Sequence, residues 1–352
     1  MARASRQAVT IKHVAAEAGV SLQTVSRVMN NEPNVREVVR ERVHEAVRRL
    51  GYVPSIAARR LGGSRSYLIL SLNDRDRTIE GWQLGQGSDW IDQMLYGGML
   101  KSAEHGYRML FELVDTHSDH VEREVLAALS ALGPDGVILT PPHSDNPAII
   151  ALLEAEGMPF ARIGSNGGEA GIAIRMDDAA AGRAATDHLI ALGHRRIGFI
   201  SGSFEYSLSH DRLRGYREGI AAAGLALDAE LMRDGDFGFA SGAAAMTALL
   251  DLADPPSAVI SSSDQMALGV LEVARGRGVR VPDALSVVSF DDSPVVKFSV
   301  PPLTAITQPI APMAAAACEF LIRAAGGEAI ERGPHVMPFA LAVRGSTARR
   351  DG

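Results

Sequence analysis

Cysteine occurs once in the 352 residues, at Cys318, so no disulfide framework exists and a reducing compartment is the expectation. No stretch approaches the ~18 consecutive apolar residues of a membrane helix. Met1 to Thr10 is basic and polar with no apolar centre, which reads as an uncleaved, soluble, cytoplasmic chain with no membrane partner. No Gly-x-x-x-x-Gly-Lys phosphate loop and no nucleophile elbow occur, and Gly85-Gln86-Gly87 lacks the third glycine of a dinucleotide fingerprint. His117 and His120 with Asp115 and Asp119 read as a polar loop entering a helix rather than as a metal site. Cys318 lies in an Ala-rich helical run and reads as a buried structural thiol. These absences predict no cofactor, no metal and no enzyme.

Charge of one sign is not scarce overall, but it is scarce locally. The net charge is −7, yet through Gly62 there are 11 Lys and Arg against 5 Asp and Glu, a net of +6. The remainder holds 24 against 37, a net of −13. A basic head therefore precedes an acidic body.

In the head, Ile11, Val14, Ala15 and Ala18 recur at helical spacing behind Thr10, an expected N-cap, and Gly19 stops the run. Ser21 caps a second short helix with Val25, Val28 and Met29 inward and Leu22, Gln23, Ser26 and Arg27 on the opposite face. A third amphipathic stretch, Val38 to Leu50, ends at Gly51. Two short helices joined by a glycine turn and closed by a third, with local positive charge, predict a helix-turn-helix that reads double-stranded DNA. Gln23, Ser26 and Arg27 can address base edges, and Thr10, Thr24 and Asn34 are placed for phosphate. After Pro54 comes a segment of about two turns, too short to hold as a free helix, with Ala58 and Leu61 suited to a minor groove.

Val9 to Ala15, Ala18-Gly19-Val20-Ser21, Thr24 to Asn30 and Gly51-Tyr52-Val53-Pro54 resemble the head of the lactose-repressor (LacI/GalR) family of bacterial transcription regulators. The resemblance implies that Leu22, Gln23 and Arg27 read bases, and that Leu61 intercalates at the centre of a palindromic operator gripped by a homodimer. Arg36 departs from the family's frequent Ser cap of the third helix, and Asn34 is the expected substitute cap.

From Tyr67 onward, short apolar runs alternate with helical stretches over some 270 residues, often with a Gly between helix and strand. This predicts parallel sheets flanked by helices, and too many strands for one sheet, hence two lobes. Ligands in such folds sit beyond the carboxyl ends of the strands. Arg212 and Asp291 are read as ligand-holding groups, while Asp264 and Asp292 suit helix capping at least as well. Asp264 to Gly269, Ser286 to Asp292, Pro301 to Thr304 and Arg344 to Thr347 are similar to the family's periplasmic-binding-protein-like core. The resemblance implies a small-molecule effector, a sugar or glycoside first, held by Arg212 and Asp291, with Ser263 where the family pattern has Asn. Asn73 to Trp90 is a longer loop than the family's and carries Trp82 and Trp90, which are expected either to line the pocket or to cover a surface.

The resulting domains are 1–51 for the helix-turn-helix, 52–64 for a hinge helix and linker, and 65–347 for the effector and dimerisation core. Within the core, 65–174 with 306–328 form one lobe and 178–302 with 332–347 the other. The expected function is a sugar-controlled repressor. A corepressor-activated regulator with a purine-type ligand, or a non-DNA solute-binding or sugar-processing protein, are the alternatives.

Overall fold

The computed structural model describes residues 9–29, 33–52, 65–85, 88–165 and 168–350. Contacts divide the chain into a head, Met1–Tyr67, and a core, Leu68–Gly352. Ala58 and Leu61 lie outside the described residues.

Among the described residues the head holds three helices, α1 (Ile11–Ala18), α2 (Leu22–Met29) and α3 (Glu37–Leu50). Val14, Ala15, Ala18, Val25, Val28, Val43, Ala46 and Tyr52 bury together, so Tyr52, expected to open the hinge, completes the head's core instead. Thr10 is the N-cap of α1, its amide donating to His13 Nδ1 at 3.0 Å. Ser21 Oγ accepts from Thr24 N at 3.1 Å, starting α2 as expected. Gly19 turns the chain with φ 61°, a conformation a side chain resists. Arg42 of α3 donates to the Ala18 carbonyl, where the last carbonyls of α1 lack helical partners. The expected Asn34 cap is absent: the N-cap of α3 is Arg36, with no side-chain bond to the helix start.

The core holds two six-stranded sheets. The first is ordered β11-β5-β4-β3-β1-β2, with β1 Leu68–Asp74, β2 Arg108–Val114, β3 Gly136–Leu139, β4 Phe160–Ile163, β5 Ile172–Arg175 and β11 His335–Val336. The second is ordered β12-β10-β9-β8-β6-β7, with β6 Ile197–Ile200, β7 Met232–Arg233, β8 Ala258–Ser261, β9 Ser286–Asp291, β10 Thr304–Thr307 and β12 Ala340–Ala342. Pairing is parallel except between β10 and β12. Apolar strands buried on both faces account for the continuous runs: Ile197, Phe199, Ile260, Val288 and Phe290 pack to one side of the second sheet, and Ile200, Val259 and Val287 to the other.

The lobe limits differ from expectation in two places. Thr304–Thr307 belongs to the second sheet, because it pairs with Val288 to Asp291 of β9. His335–Val336, expected in the second lobe, belongs to the first sheet, paired with Ile174–Arg175 and extended by Met337 N donating to Arg175 O at 2.7 Å. The chain thus crosses between lobes near residues 176, 308 and 338. Cys318 is fully buried, and burial pushes its thiol up to about 11.

The stretch Asn73 to Trp90, expected as a loop, is mostly helical. α4 spans Arg75–Leu84, begun by Asp74 Oδ1 accepting from Arg77 N at 2.8 Å and ended by Gly85 at φ 63°. α5 then spans Asp89–Glu104. Trp82 and Trp90 therefore ride on two successive helices.

Candidate functional site

A cavity of about 320 Å³ lies in the core, a ligand-sized space. Strand ends supply its floor: Asn73 and Asp74 after β1, Thr140 and Pro141 after β3, Ser263 and Asp264 after β8, Asp291 to Ser293 after β9, and Thr307 and Gln308 at β10. This is the carboxyl edge of both parallel sheets, where strand-to-helix turns leave side chains free to converge. Arg212, Asp291, Ser263, Trp90 and Trp82 all line it.

Arg212 lies on the helix Ser207–Ala222, which packs against the helix Asp178–Ala191. The two helices pack through glycine: a Cβ on Gly215 would stand 2.0 Å from the Ala179 carbonyl oxygen, and one on Gly182 2.4 Å from that of Arg212. This close approach brings Asp178 Oδ1 to 2.8 Å from Arg212 Nε. Arg212 Nη1 donates to Ser262 O at 2.7 Å, and its guanidinium stands 4.3 Å from the Phe290 ring centre. The side chain is buried and rigidly aimed.

Asp291 sits at φ 100° and Asp292 at φ 58°, a left-handed pair that L residues seldom adopt. Strain of this kind is held only where surrounding structure enforces it, and here it turns Asp291 into the cavity. Asp291 Oδ2 accepts from Asp264 N at a long 3.4 Å. Asp292 is instead tied back, to Arg344 at 2.6 Å and Thr307 Oγ1 at 2.9 Å. Asp264 is likewise tied, accepting from Ser289 Oγ and from Ser293 N, each at 2.6 Å. Ser263 Oγ caps its helix by accepting from Met266 N at 3.1 Å and spends its proton on Phe237 O at 2.9 Å. Ser263 lines the cavity as a helix cap whose donor is already used.

Trp90 is half-buried in the wall, whereas Trp82 is 53% exposed with its ring 6.4 Å from that of Phe111. Sequence reasoning had not singled out Arg77, Asp89, Gln265 or Tyr206. Arg77 reaches across the lobes to Asp236 O at 2.8 Å and lies over the rings of Phe237 and Tyr206, 5.1 and 5.5 Å from their centres. Gln265 donates across to Asp89 Oδ2 at 3.4 Å, Ser207 Oγ to Asp145 at 2.8 Å, and His117 meets Glu205 at 2.7 Å. Asp74 at the start of α4 was the available signal for Arg77, since an N-cap three residues before it fixes a helix leaning over the strand ends.

Burial, reinforced by Asp291, pushes the Asp264 carboxyl up to about 8, and burial likewise raises Asp291. A carboxyl raised above its unfolded value holds a proton in the fold that the open chain releases, so its contribution to stability falls as pH rises from about 4 toward 8. The unliganded protein should therefore melt lower at pH 8 than at pH 6. In Asp264→Asn this slope should flatten in a thermal-melt series, and an unchanged slope would assign the effect elsewhere.

In the head, Leu22, Gln23 and Arg27 are exposed on one side of α2, and Ser26 is half-buried. Thr10 and Asn34 are exposed, and Thr24 is half-buried with its hydroxyl 2.9 Å from Ser21 Oγ. Among the described residues no helix is long and apolar enough to cross a membrane, and no group of three or more His, Cys, Asp or Glu is placed to hold a metal.

Residues 10–55 match the family described as bacterial regulatory proteins, lacI family, and residues 186–347 match the periplasmic binding protein-like domain. The HTH-type transcriptional regulator CelR of Thermobifida fusca is 36% identical over 97% of this chain and 99% of its own. The HTH-type transcriptional repressor CytR of Escherichia coli (strain K12) is 32% identical over 98% of each. Among solved structures, the CelR–cellobiose complex superposes with a TM-score of 0.72 at 33% identity, covering 96% of this chain and 99% of that one. The lac repressor dimer bound to operator and the anti-inducer ONPF gives 0.78 at 27% identity, covering 97% and 100%. The chain belongs to the lacI family of bacterial regulatory proteins.

Proposed function

We propose that this protein is a cytoplasmic transcription repressor that grips a palindromic operator as a homodimer and is controlled by a glycoside in the core cavity. The observation that carries the reading is the pairing, in one chain, of an exposed Leu22, Gln23 and Arg27 face with a walled, carboxylate- and guanidinium-lined cavity between two lobes. A single helix-turn-helix makes too few base contacts for useful specificity, so two heads share a palindrome. Leu22, Gln23, Ser26 and Arg27 read bases, Thr10, Thr24 and Asn34 meet phosphate, and Ala58 and Leu61 enter the minor groove. Arg212 and Asp291 address sugar hydroxyls, with Trp90 and Trp82 against the C–H faces of the rings.

The effector acts by preferring one arrangement of the lobes and DNA another. By linkage each ligand then changes the other's affinity by the same factor. The Arg77, Gln265, Ser207 and His117 contacts are the bonds that change when the lobes move. Operator titration with and without cellobiose, the ligand in the CelR complex, tests this reading directly. Release of DNA is the expected result, and tightening would make the protein a corepressor-activated regulator instead.

Replacing Trp90 or Trp82 by alanine should weaken glycoside binding by about 1 kcal/mol each, with the larger loss at the more buried Trp90. Calorimetric titration measures this. Two variants that both bind as the parent does would remove the tryptophans from the site.

A further inference from the structure

The wall of the cavity holds five carboxylates, Asp74, Asp89, Asp264, Asp291 and Asp292, against three cations, Arg77, Arg212 and Lys297. The positive charges are matched within the protein or remote, while Arg212 still lines the cavity as a hydrogen-bond donor. Arg212 is paired with Asp178, Arg77 lies on a carbonyl and two aromatic faces, and Lys297 is exposed. Of the carboxylates, Asp292 is neutralised by Arg344, but Asp89 and Asp291 each have only a 3.4 Å contact and face the cavity. The remaining lining residues carry no ionisable charge apart from the Tyr206 phenol.

A bound phosphate would use the positive ends of helices, where unpaired N–H groups point outward. Three helices open on this cavity, each with a carboxylate of the chain at its positive end. Asp74 caps α4, Asp89 is the first residue of α5, and Asp264 is the first residue of the helix Asp264–Gly276. A separate observation concerns Ser293. Its hydroxyl is buried in the cavity wall beside the Asp264 carboxyl and makes no well-aligned hydrogen bond. Buried polar groups are almost always satisfied, so this hydroxyl is placed for a ligand atom.

We infer that the cavity selects an uncharged, hydroxyl-rich effector, with Asp89, Asp291 and Ser293 meeting its hydroxyls, and that it excludes phosphorylated sugars and other anions. The inference rests on the effector reading above and narrows it. Asp89 and Asp291 are acceptor groups that reward a donor and repel an anion, and a like charge brought beside them costs several kcal/mol. Burial raises the carboxyl of Asp89, as it does those of Asp264 and Asp291, because a closed, poorly solvated wall disfavours negative charge.

The test is calorimetric titration of the full chain with two matched pairs: cellobiose against cellobiose 6-phosphate, and adenosine against adenosine 5′-phosphate. In whichever pair binds, the phosphorylated member should be weaker by about a hundredfold or more. Equal or tighter binding of the phosphorylated member overturns the inference. Binding confined to the adenosine pair sinks the glycoside reading while the charge rule is still judged within that pair. Asp89→Asn, which keeps the shape and removes one charge, should recover about tenfold of the phosphorylated ligand's deficit. Ser293→Ala should weaken the uncharged ligand several-fold with no change in melting temperature, whereas a fall in melting temperature with unchanged affinity would make that hydroxyl structural.

Discussion

Arg212→Ala is expected to destabilise the core by about 3–5 kcal/mol and to abolish the effector response. Arg212 and Asp178 are both buried, with side chains 2% and 5% exposed, at 2.8 Å. Removing the guanidinium leaves Asp178 charged and unpartnered in a closed environment, and that residual charge, rather than the lost attraction, sets the size of the effect. Burial already raises the Asp178 carboxyl against the lowering influence of Arg212, so the variant raises it further. By linkage the variant's stability deficit should shrink as pH falls through the carboxyl's raised value, because the protonated acid folds without penalty. Urea denaturation at pH 5.5 and 8 reads this directly. Arg212→Met with Asp178→Asn removes both charges at similar volume. It should regain most of the stability while leaving glycoside affinity lost, which separates the folding role of the pair from its binding role. If the single variant melts as the parent does, the pair is a solvated contact and not the anchor described above.

The parts of the fold that depend on local pattern were legible in the sequence. Val14, Ala15, Ala18, Val25 and Val28 announce the head by spacing alone, and the apolar runs at 197–200, 258–261 and 286–291 announce buried parallel strands. What the sequence hid depends on long-range pairing. His335–Val336 is two residues long and carries no periodicity; only the partner strand at Ile174–Arg175 makes it part of the first sheet. The helix Arg75–Leu84 was missed because its sequence is polar, with little apolar stripe, and it is set by its caps, Asp74 and Gly85. In the site, Asp291 stood out as a charge after an apolar strand and Arg212 as one opening a helix after a loop. Asp89, Gln265, Tyr206 and Arg77 did not, because their importance comes from facing the opposite lobe across 129 to 176 residues of chain. The tie-back of Asp264 and Asp292 was weighed against ligand contact in the sequence, and their partners, Ser289, Ser293, Arg344 and Thr307, favour the tie.

Gln23→Ala with Arg27→Ala should remove sequence-specific DNA binding while leaving the fold and the glycoside affinity intact. Both side chains are exposed on α2, whose packing face is Val25 and Val28, so neither truncation opens the head's core. A good bidentate base contact contributes about 1–3 kcal/mol of discrimination, and a dimer loses each contact twice. The specific affinity should fall by about 10³-fold or more and approach the nonspecific level. Duplexes selected from a random pool by the parent protein supply the probe, and gel-shift titration at several salt concentrations supplies the measurement. The salt series separates the two kinds of contact. Losing Gln23 should leave the slope unchanged, losing Arg27 should reduce it by no more than about one charge per head, and exchanging Lys12, a cation exposed on α1, should reduce it without altering sequence preference. The charge division explains why the head carries this effect alone. The net of +6 lies on residues through Gly62, and the −13 that follows repels phosphate, so the core adds nothing to the slope. A chain lacking residues 1–62 that still bound duplex DNA would place the binding surface on the acidic core and overturn this assignment.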